Sequence, residues 1–301
     1  MKQSFFTDEN VCPLGNGGGI VKYIADVHKL LVTDIGAIEI GSITVEDRPG
    51  NEGNVFRDMG NFTLNSIGLK NPGLLYYQKN LGRMIQMIHE AGKTAIVNVA
   101  GFNKEEYCDL TNMAFEAKAD LVNLNYGCPN VGHKEILSYN NLVLRDTTLN
   151  VIRTNKESAE GRIGIKLSPI FRRSDMEDIA SFLNLLYQTK GSNGYIGFVA
   201  GINTIPNCYD EDDSGDQLIS PNNGLAGMAG PAIFPIALSQ VRQWRSMLES
   251  EIKIIGIGGI STGNDIKKML KNGASRVQAT SPYYAKEDPG VFQHMIGEYL
   301  S

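Results

Sequence analysis

Residues 252–263 read IKIIGIGGISTG, a short apolar run that passes directly into a glycine-rich turn and then into a helical pattern. A near-continuous apolar run of this length is typical of a parallel strand that is buried on both faces. Glycine lets the backbone approach an anion, and a helix that follows such a turn offers free N–H groups. The stretch predicts a strand–turn–helix unit with a phosphate site at the turn.

The same alternation of strand and helix patterns repeats along the chain. Other apolar runs lie at residues 37–40 (AIEI), 94–99 (TAIVNV), 121–125 (LVNLN), 163–167 (IGIKL), 195–200 (YIGFVA) and 276–279 (RVQA). Helical patterns separate them, for example at residues 74–90, 176–188, 233–248 and 265–272. With residues 11–14 (VCPL) as an eighth strand, the pattern predicts a single (β/α)8 TIM barrel over residues 1–301. An open doubly wound sheet is the alternative, which the even spacing disfavours.

The bulk composition narrows the class of protein. The chain has 301 residues, of which 42% are hydrophobic, and this suits one large barrel domain. Its net charge is −5 and it has no basic tract, so we expect no nucleic-acid partner. No apolar run approaches the roughly 18 residues of a membrane span, and no signal peptide is recognisable. The four cysteines lack metal-binding spacing, so we expect a cytoplasmic protein with reduced thiols and no metal.

Two long stretches without a clear pattern interrupt the alternation, at residues 41–73 and 203–230. The second contains the polar run CYDEDDSGDQ at residues 208–217. Loops of this length within a compact domain are usually lids or binding loops. We therefore expect both stretches to border a ligand site.

Glycines and hydroxyls cluster where strands seven and eight end, which is where barrels often hold a phosphate. Strand seven leads into Gly258 and Gly259, and strand eight is followed by Thr280 and Ser281. Residues 223–227 (NGLAG) form a third glycine-rich turn. Together the three turns predict a mononucleotide phosphate site, although any single one of them could be only a tight turn.

Polar side chains also stand at the carboxyl ends of other strands. The asparagines are Asn65, Asn98, Asn123, Asn125 and Asn203, and Thr204 follows the last of them. Asparagine offers both donors and acceptors, which suits a neutral, amide-rich ring. Lys166 is the one charge in strand five, and a buried lysine is costly unless it is paired or functional. It could form an ion pair, stabilise negative charge on a reduced flavin, or form a Schiff base as in aldolases.

Cys128 lies just past strand four, in the segment NYGCPN of residues 125–130. A free cysteine is often only a small buried hydrophobe. A position in a Gly/Pro loop at the catalytic rim, between two asparagines, instead favours a chemical role. Nearby His133 is interpreted as a surface residue, although it could serve as a second acid or base.

Taken together, these residues resemble the dihydroorotate dehydrogenase family of FMN-dependent barrels. The matching segments lie at residues 41–51 (GSITVEDRPGN), 64–73 (LNSIGLKNPG), 128–130 (CPN), 165–169 (IKLSP), 202–205 (INTI), 224–227 (GLAG) and 254–265 (IIGIGGISTGND). The resemblance runs from about Gly17 to the C-terminus. It implies oxidation of dihydroorotate to orotate in pyrimidine synthesis.

The resemblance also implies roles for individual residues. FMN would contact Gly17, Gly18, Gly19, Ser42, Asn98, Lys166, Gly227, Gly258, Gly259, Thr280 and Ser281. The substrate would be held by Lys22, Asn65, Ser66, Ile67, Gly68, Leu69, Asn125, Asn130, Asn203 and Thr204. Cys128 would be the catalytic base that removes the proton from ring position five, and the flavin would take hydride from position six. The thiol would need a lowered pKa, or a group that accepts its proton.

The sequence departs from the family pattern at the substrate-binding lysine. Class 1 members have this lysine just after strand two, where the present chain has Gly41. Lys22 instead follows the first glycine-rich turn, at the spacing of class 2 members, so we expect it to bind the substrate carboxylate. An exposed helical lysine is the alternative. The chain thus combines a class 1 cysteine with a class 2-like lysine, which leaves the electron acceptor open among fumarate, quinone and NAD through a partner subunit.

Two other functions remain open at this point. One is a flavin barrel that acts on another dihydropyrimidine, or on dihydrouridine in RNA, because YGCP also resembles the loop of dihydrouridine synthases. The net acidic charge disfavours the RNA substrate. The other is a barrel that binds a nucleotide without catalysis. As partners we expect a small-molecule substrate and a second copy of the chain in a homodimer, with an electron-transfer subunit as an open question.

Overall fold

The strands of this protein form two sheets, and helices surround the larger one. The structure is a computed structural model that describes residues 4–128, 136–189 and 194–301. The strands are β1 (Leu14–Asn16), β2 (Ala37–Ile43), β3 (Phe56–Asp58), β4 (Thr63–Asn65), β5 (Thr94–Val99), β6 (Leu121–Asn125), β7 (Ile163–Leu167), β8 (Ile196–Gly201), β9 (Ile205–Cys208), β10 (Ala226–Ala229), β11 (Lys253–Ile257) and β12 (Arg276–Ala279). The helices are α1 (Ser4–Thr7), α2 (Ile24–Leu31), α3 (Gly73–Glu90), α4 (Lys104–Glu116), α5 (Asn141–Thr154), α6 (Arg173–Gln188), α7 (Phe234–Met247), α8 (Gly263–Lys271), α9 (Ser281–Lys286) and α10 (Gly290–Leu300). Within these described ranges, no helix has both the length and the apolar character needed to cross a membrane.

Eight parallel strands close into a barrel in the order β1-β12-β11-β8-β7-β6-β5-β2. The predicted (β/α)8 barrel is therefore confirmed, and four predicted strands have the same bounds as β5, β6, β7 and β12. Because the strands are parallel, their carboxyl ends meet at one rim. There Asn98 lies in register with Asn123, and Asn125 lies in register with Lys166.

The prediction for the first strand is wrong by two to three residues. β1 covers Leu14–Asn16 rather than residues 11–14. Pro13 has no N–H to give to a strand ladder, whereas the Asn16 side chain extends the pairing with β2. Its Oδ1 accepts from the N–H of Glu39 at 2.9 Å, and its Nδ2 donates to the carbonyl of Glu39 at 2.8 Å. Because a polar residue makes these bonds, this strand has no apolar run by which the sequence pattern could locate it.

The second sheet lies in the two stretches that the sequence suggests are irregular, and that suggestion is also wrong. The order of this antiparallel sheet is β3-β4-β10-β9, so it joins residues 41–73 to residues 203–230. Its strands have only three or four residues and lack apolar runs, which explains why periodicity does not reveal them. The predicted turn at residues 223–227 ends inside β10, where Gly227 pairs with Asn65.

The core lies between the barrel and its surrounding helices. In α3 the buried residues Tyr77, Leu81, Met84, Ile85 and Ile88 recur every three or four positions, which places them on one face of the helix. The helix ends at Glu90, and Gly92 follows with φ +71°, a conformation that favours glycine. The buried face of α3 fixes the helix against the barrel and so fixes the strand ends that carry the site.

Replacing Ile88 by alanine should lower the free energy of unfolding by about 2–5 kcal/mol, because the substitution leaves a cavity under α3. Leu75→Ala, on the same helix at 75% exposure, should change it by less than about 0.5 kcal/mol. Urea unfolding of the two variants would measure the difference. Equal losses would contradict the assigned buried face.

Candidate active site

A cavity opens at the carboxyl ends of the barrel strands, the usual position of active sites in (β/α)8 barrels. Its wall also includes residues of the antiparallel sheet, such as Thr63 and Ala229. The predicted site residues that line the cavity are Gly18, Gly19, Lys22, Ser42, Asn65, Ile67, Gly68, Leu69, Asn125, Cys128, Lys166, Asn203, Thr204, Gly258, Gly259, Thr280 and Ser281. The fold therefore brings most of the predicted residues to one place.

The remaining predicted residues lie elsewhere. Gly17, Asn98, Ser66 and Gly227 are not among the residues that line the cavity. Two of these four support side chains of the wall: Asn98 accepts a hydrogen bond from Ser42, and the carbonyl of Gly227 accepts one from Asn65 at 3.0 Å. Asn130 and His133 lie outside the described residues.

Two glycines bring the backbone to the cavity surface where no side chain would fit. A Cβ on Gly18 would lie 2.8 Å from Oε1 of Glu39. A Cβ on Gly259 would lie 2.5 Å from the backbone nitrogen of Phe234, and φ at Gly259 is +72°. The cavity is therefore bordered by bare backbone at both places, which leaves room for a large planar ligand.

The start of α8 is already capped by carboxylates of the protein itself. Oδ2 of Asp265 accepts from the N–H groups of Ser261 at 3.1 Å and Thr262 at 3.0 Å, and Oε2 of Glu298 accepts from Gly263 at 2.7 Å. The expectation of free N–H groups at this helix start is wrong for Ser261, Thr262, Gly263 and Asp265, because capping residues and a contact with α10 accept their hydrogen bonds. The predicted phosphate-site residues of this rim that line the cavity are Gly258, Gly259, Thr280 and Ser281.

A buried carboxylate lies inside the barrel, and the sequence-based prediction missed it. Oε1 of Glu39 accepts from Asn98 Nδ2 at 2.9 Å, and Oε2 accepts from Asn123 at 3.1 Å and Gln278 at 2.9 Å. Both oxygens only accept, which is the pattern of an ionised carboxyl group. The sequence does carry a signal for this residue, because Glu39 is a lone charge in the apolar run AIEI, as Lys166 is in IGIKL.

Hydrogen bonds connect this carboxylate to the opposite side of the cavity. Ser42 Oγ donates to Asn98, and Asn125 Nδ2 donates to Ser42 Oγ at 2.8 Å. Asn203 Nδ2 then donates to Asn125 Oδ1 at 3.2 Å. Asparagines that the sequence places on separate elements therefore form one continuous network with Ser42 and Glu39.

The backbone that leads to Cys128 is held on both sides. The carbonyl of Tyr126 accepts from the N–H and the Oγ of Ser138 at 2.9 Å and 2.8 Å, and the carbonyl of Gly127 accepts from Ser168 Oγ at 3.1 Å. Tyr107 OH donates to the carbonyl of Asn125 at 2.7 Å, and burial raises the pKa of this phenol. Cys128 lines the cavity at the end of this anchored segment.

Lys22 lies in the cavity wall just before α2, so the alternative of an exposed helical lysine is wrong. Burial lowers its pKa from 10.5 to about 8, an effect opposed by the charge of Asp26 and reinforced by the charge of Lys70. The Asp26 carboxylate is engaged by backbone N–H groups, including that of Lys22 itself at 3.0 Å. Lys22 therefore presents a partly desolvated positive charge to the cavity, which an anionic ligand would stabilise.

Comparison with known proteins identifies the family. The family model for dihydroorotate dehydrogenase matches residues 1–300. The chain is 29% identical to dihydroorotate dehydrogenase A (fumarate) of Lactococcus lactis subsp. lactis, covering 99% of this chain and 92% of the relative. It is 30% identical to the catalytic subunit of dihydroorotate dehydrogenase B (NAD(+)) of Listeria welshimeri, covering 94% and 84%.

The chain belongs to the dihydroorotate dehydrogenase family. A DHODH structure from Eimeria tenella in complex with ferulenol has the same fold, with a TM-score of 0.74 over 96% of this chain and 80% of the other at 20% identity. Family membership confirms the predicted oxidoreductase class and reaction, the oxidation of dihydroorotate in pyrimidine biosynthesis. Enzymes of the dihydroorotate dehydrogenase family generally depend on a flavin.

The missing class 1 lysine has a structural explanation in this family member. At Gly41 φ is +113°, and a Cβ there would overlap the carbonyl oxygen of Asn98. No side chain fits at this position without movement of β5. Positive charge reaches the cavity from other elements instead, and Lys22, in the segment between β1 and α2, is one of the lysines that line it.

The pKa of Lys22 predicts how ligand binding depends on pH. Because the lysine loses its charge as pH rises through about 8, the affinity for orotate should be constant near pH 6.5 and fall by up to about tenfold per pH unit above 8. Isothermal titration with orotate would measure this profile. Lys70→Met should shift the midpoint to higher pH, since the charge of Lys70 lowers the pKa of Lys22.

Lys22→Met should bind orotate weakly and show no change between pH 7 and pH 9. A wild-type profile that is flat across this range would contradict the role of Lys22.

Proposed function

We propose that this chain oxidises dihydroorotate to orotate with FMN as cofactor and Cys128 as catalytic base. The observation that carries the proposal is that Cys128, Lys22 and the asparagines Asn65, Asn125 and Asn203 line one cavity. A cysteine thiolate can remove a proton, an ammonium group can bind a carboxylate, and amides can hold a pyrimidine dione ring. Residues 1–301 would act as one FMN-binding domain.

The cavity fits a flavin nucleotide. Gly18 and Gly259 leave space for a planar ring, and Thr280 and Ser281 offer hydroxyls to a phosphate. Oε1 of Gln278 is a buried acceptor with no hydrogen-bond partner among the described residues, which suits a ring N–H. Gly19, Ser42, Lys166 and Gly258 complete the proposed FMN contacts that line the cavity, whereas Gly17, Asn98 and Gly227, which the family resemblance also implies, do not line it. When bound, FMN supplies the ring that accepts hydride from position six of the substrate.

The substrate would bind between Lys22 and the asparagines of the cavity. Lys22 would hold the carboxylate, and Asn65, Asn125 and Asn203 would hold the ring. Oγ1 of Thr204 is buried and has no partner in the described part of the chain, so a polar ligand group would satisfy it. Asn130, together with the backbone of Ser66, Ile67, Gly68 and Leu69, completes the proposed substrate contacts.

Cys128 would take the proton from position five onto Sγ. The bonds from Ser138 and Ser168 to the carbonyls just before Cys128 restrict where this sulfur can lie. Restriction of this kind favours catalysis because it holds the base near the reacting carbon without further loss of entropy. Tyr107 contributes as a neutral phenol that anchors the carbonyl of Asn125.

The electron acceptor and the assembly complete the proposal. The relatives include an enzyme named for fumarate and a catalytic subunit named for NAD(+). We propose that the chain works in the cytoplasm as a homodimer that reduces fumarate without a second subunit. Steady-state assays with fumarate, quinone and NAD would identify the acceptor. If the chain turned over only with NAD, and only after an electron-transfer subunit was added, the proposed reduction of fumarate would be contradicted.

The role of Cys128 is tested by anaerobic stopped-flow absorbance. The purified wild type should be yellow, and dihydroorotate should bleach it. Cys128→Ser should slow the bleaching by roughly 10²–10⁴-fold, since a serine hydroxyl ionises far less readily than a cysteine thiol and general-base catalysis is worth this factor. Cys12→Ser, a cysteine outside the cavity lining, should bleach at the wild-type rate.

If Cys12→Ser also bleached slowly, the slow bleaching of Cys128→Ser would indicate a damaged fold rather than a missing base. A Cys128→Ser variant that bleaches as fast as the wild type would refute the role of Cys128. A wild type that does not take up FMN would refute the flavin reaction as a whole.

A further inference from the structure

The buried carboxylate of Glu39 imposes a direction on the hydrogen bonds around it. A carboxylate can only accept, so each amide that contacts it must present its NH₂ group. Asn98, Asn123 and Gln278 all do so, at 2.9 Å, 3.1 Å and 2.9 Å. Their amide oxygens must then point away from Glu39.

This direction is passed from residue to residue across the cavity. Since the oxygen of Asn98 faces Ser42, the hydroxyl of Ser42 must donate to it. The only proton of Ser42 is then used, so the neighbouring Asn125 must present its NH₂ group, as it does at 2.8 Å. The oxygen of Asn125 is thereby left to accept, and it receives bonds from Asn203 Nδ2 at 3.2 Å and from the N–H of Gly127 at 3.3 Å.

We propose that Glu39 is a positioning residue that sets the donor and acceptor direction of the chain Asn98–Ser42–Asn125–Asn203. Glu39 does not line the cavity, so it acts through these side chains. The proposal rests on the proposed function only for the identity of the ligands that bind next to these side chains.

The same constraint applies to the other two amides that donate to Glu39. The amide oxygens of Asn123 and Gln278, turned away from Glu39, have no hydrogen-bond partner among the described residues. Gln278 also lines the cavity. Glu39 thus leaves Oε1 of Gln278 as a buried acceptor with no partner among the described residues, and a ligand with a ring N–H would satisfy it better than one with only acceptors.

The proposal differs from a role in packing because it depends on direction. In Glu39→Gln the side chain keeps its shape, but its new NH₂ group must donate. If the remaining oxygen at position 39 accepts from Asn123 and Gln278, the new NH₂ group faces Asn98, which must reverse. Ser42 then receives donors from both sides and its own proton has no acceptor.

A carboxylate at position 125 should restore the hydrogen bonds that this reversal breaks. In Asn125→Asp alone, the new carboxylate and the oxygen of Asn98 both require the single proton of Ser42, so one bond is lost. In the double variant Asn98 donates to Ser42, and Ser42 donates to the carboxylate at position 125. The bonds of Ser42 are then satisfied in the opposite direction.

The test measures FMN affinity of the apoprotein by flavin fluorescence and orotate affinity of the loaded protein by calorimetry. We expect each single variant to bind both ligands about tenfold or more weakly than the wild type, as for the loss of one buried hydrogen bond to a charged group. We expect the double variant to bind FMN at least about tenfold more tightly than Asn125→Asp, a coupling that a double-mutant cycle would quantify. Additive losses in the double variant would overturn the proposal, and so would wild-type affinities in Glu39→Gln.

Two controls separate the possible causes of failure. Gln240→Leu removes two buried hydrogen bonds to Ile170 away from the cavity and should leave both affinities unchanged. If Glu39→Gln does not fold alone, recovery of a folded, FMN-binding protein in the double variant supports the proposal, and failure of both overturns it. A wild type that binds neither ligand refutes the proposed function, whereas a ligand-binding wild type with additive variants refutes only the role of Glu39.

Discussion

The architecture of the site depends on a carboxylate that is buried inside the barrel. An ionised group removed from water costs several kcal/mol unless donors surround it. Glu39 meets this requirement with three amides from β5, β6 and β12, and the Asn16 side chain binds its backbone from β1. Gly18 must lack a side chain because the carboxylate lies directly behind it. The cluster of amides inside the barrel, of which Gln278 also lines the cavity, therefore satisfies one buried charge.

The charges on the cavity wall have the opposite sign. The charged residues among those that line it are Lys22, Lys70 and Lys166, whereas the complete chain carries a net charge of −5. A local excess of positive charge in a partly enclosed cavity attracts anions and raises their concentration at the site. This arrangement suits a ligand pair that brings a phosphate and a carboxylate. Burial lowers the pKa of Lys22, and the charge of neighbouring Lys70 adds to this effect.

The sequence predicts the barrel well because its inner strands are continuous apolar runs, and it fails where structure depends on side-chain contacts. β5, β6, β7 and β12 are correct to the residue, while β1 is misplaced because Asn16 substitutes for backbone pairing. The antiparallel sheet joins segments about 160 residues apart, which no local pattern can reveal. Asp265 and Glu298 cap α8 through contacts that spacing alone does not specify. Lys166 drew attention as a lone strand charge, and the same reasoning applied to AIEI would have found Glu39.

The chain can combine features of two classes because different elements of the barrel carry them. Cys128 is positioned by the segment after β6, whose carbonyls bind Ser138 and Ser168. Lys22 is positioned by the segment between β1 and α2, and Gly41 excludes a side chain because a Cβ would overlap the carbonyl oxygen of Asn98. Since these two segments follow different strands of the barrel, either feature can change without disturbing the other. The proposed base and the proposed carboxylate-binding lysine are therefore held by independent parts of the barrel, which is how features of two classes can occur in one chain.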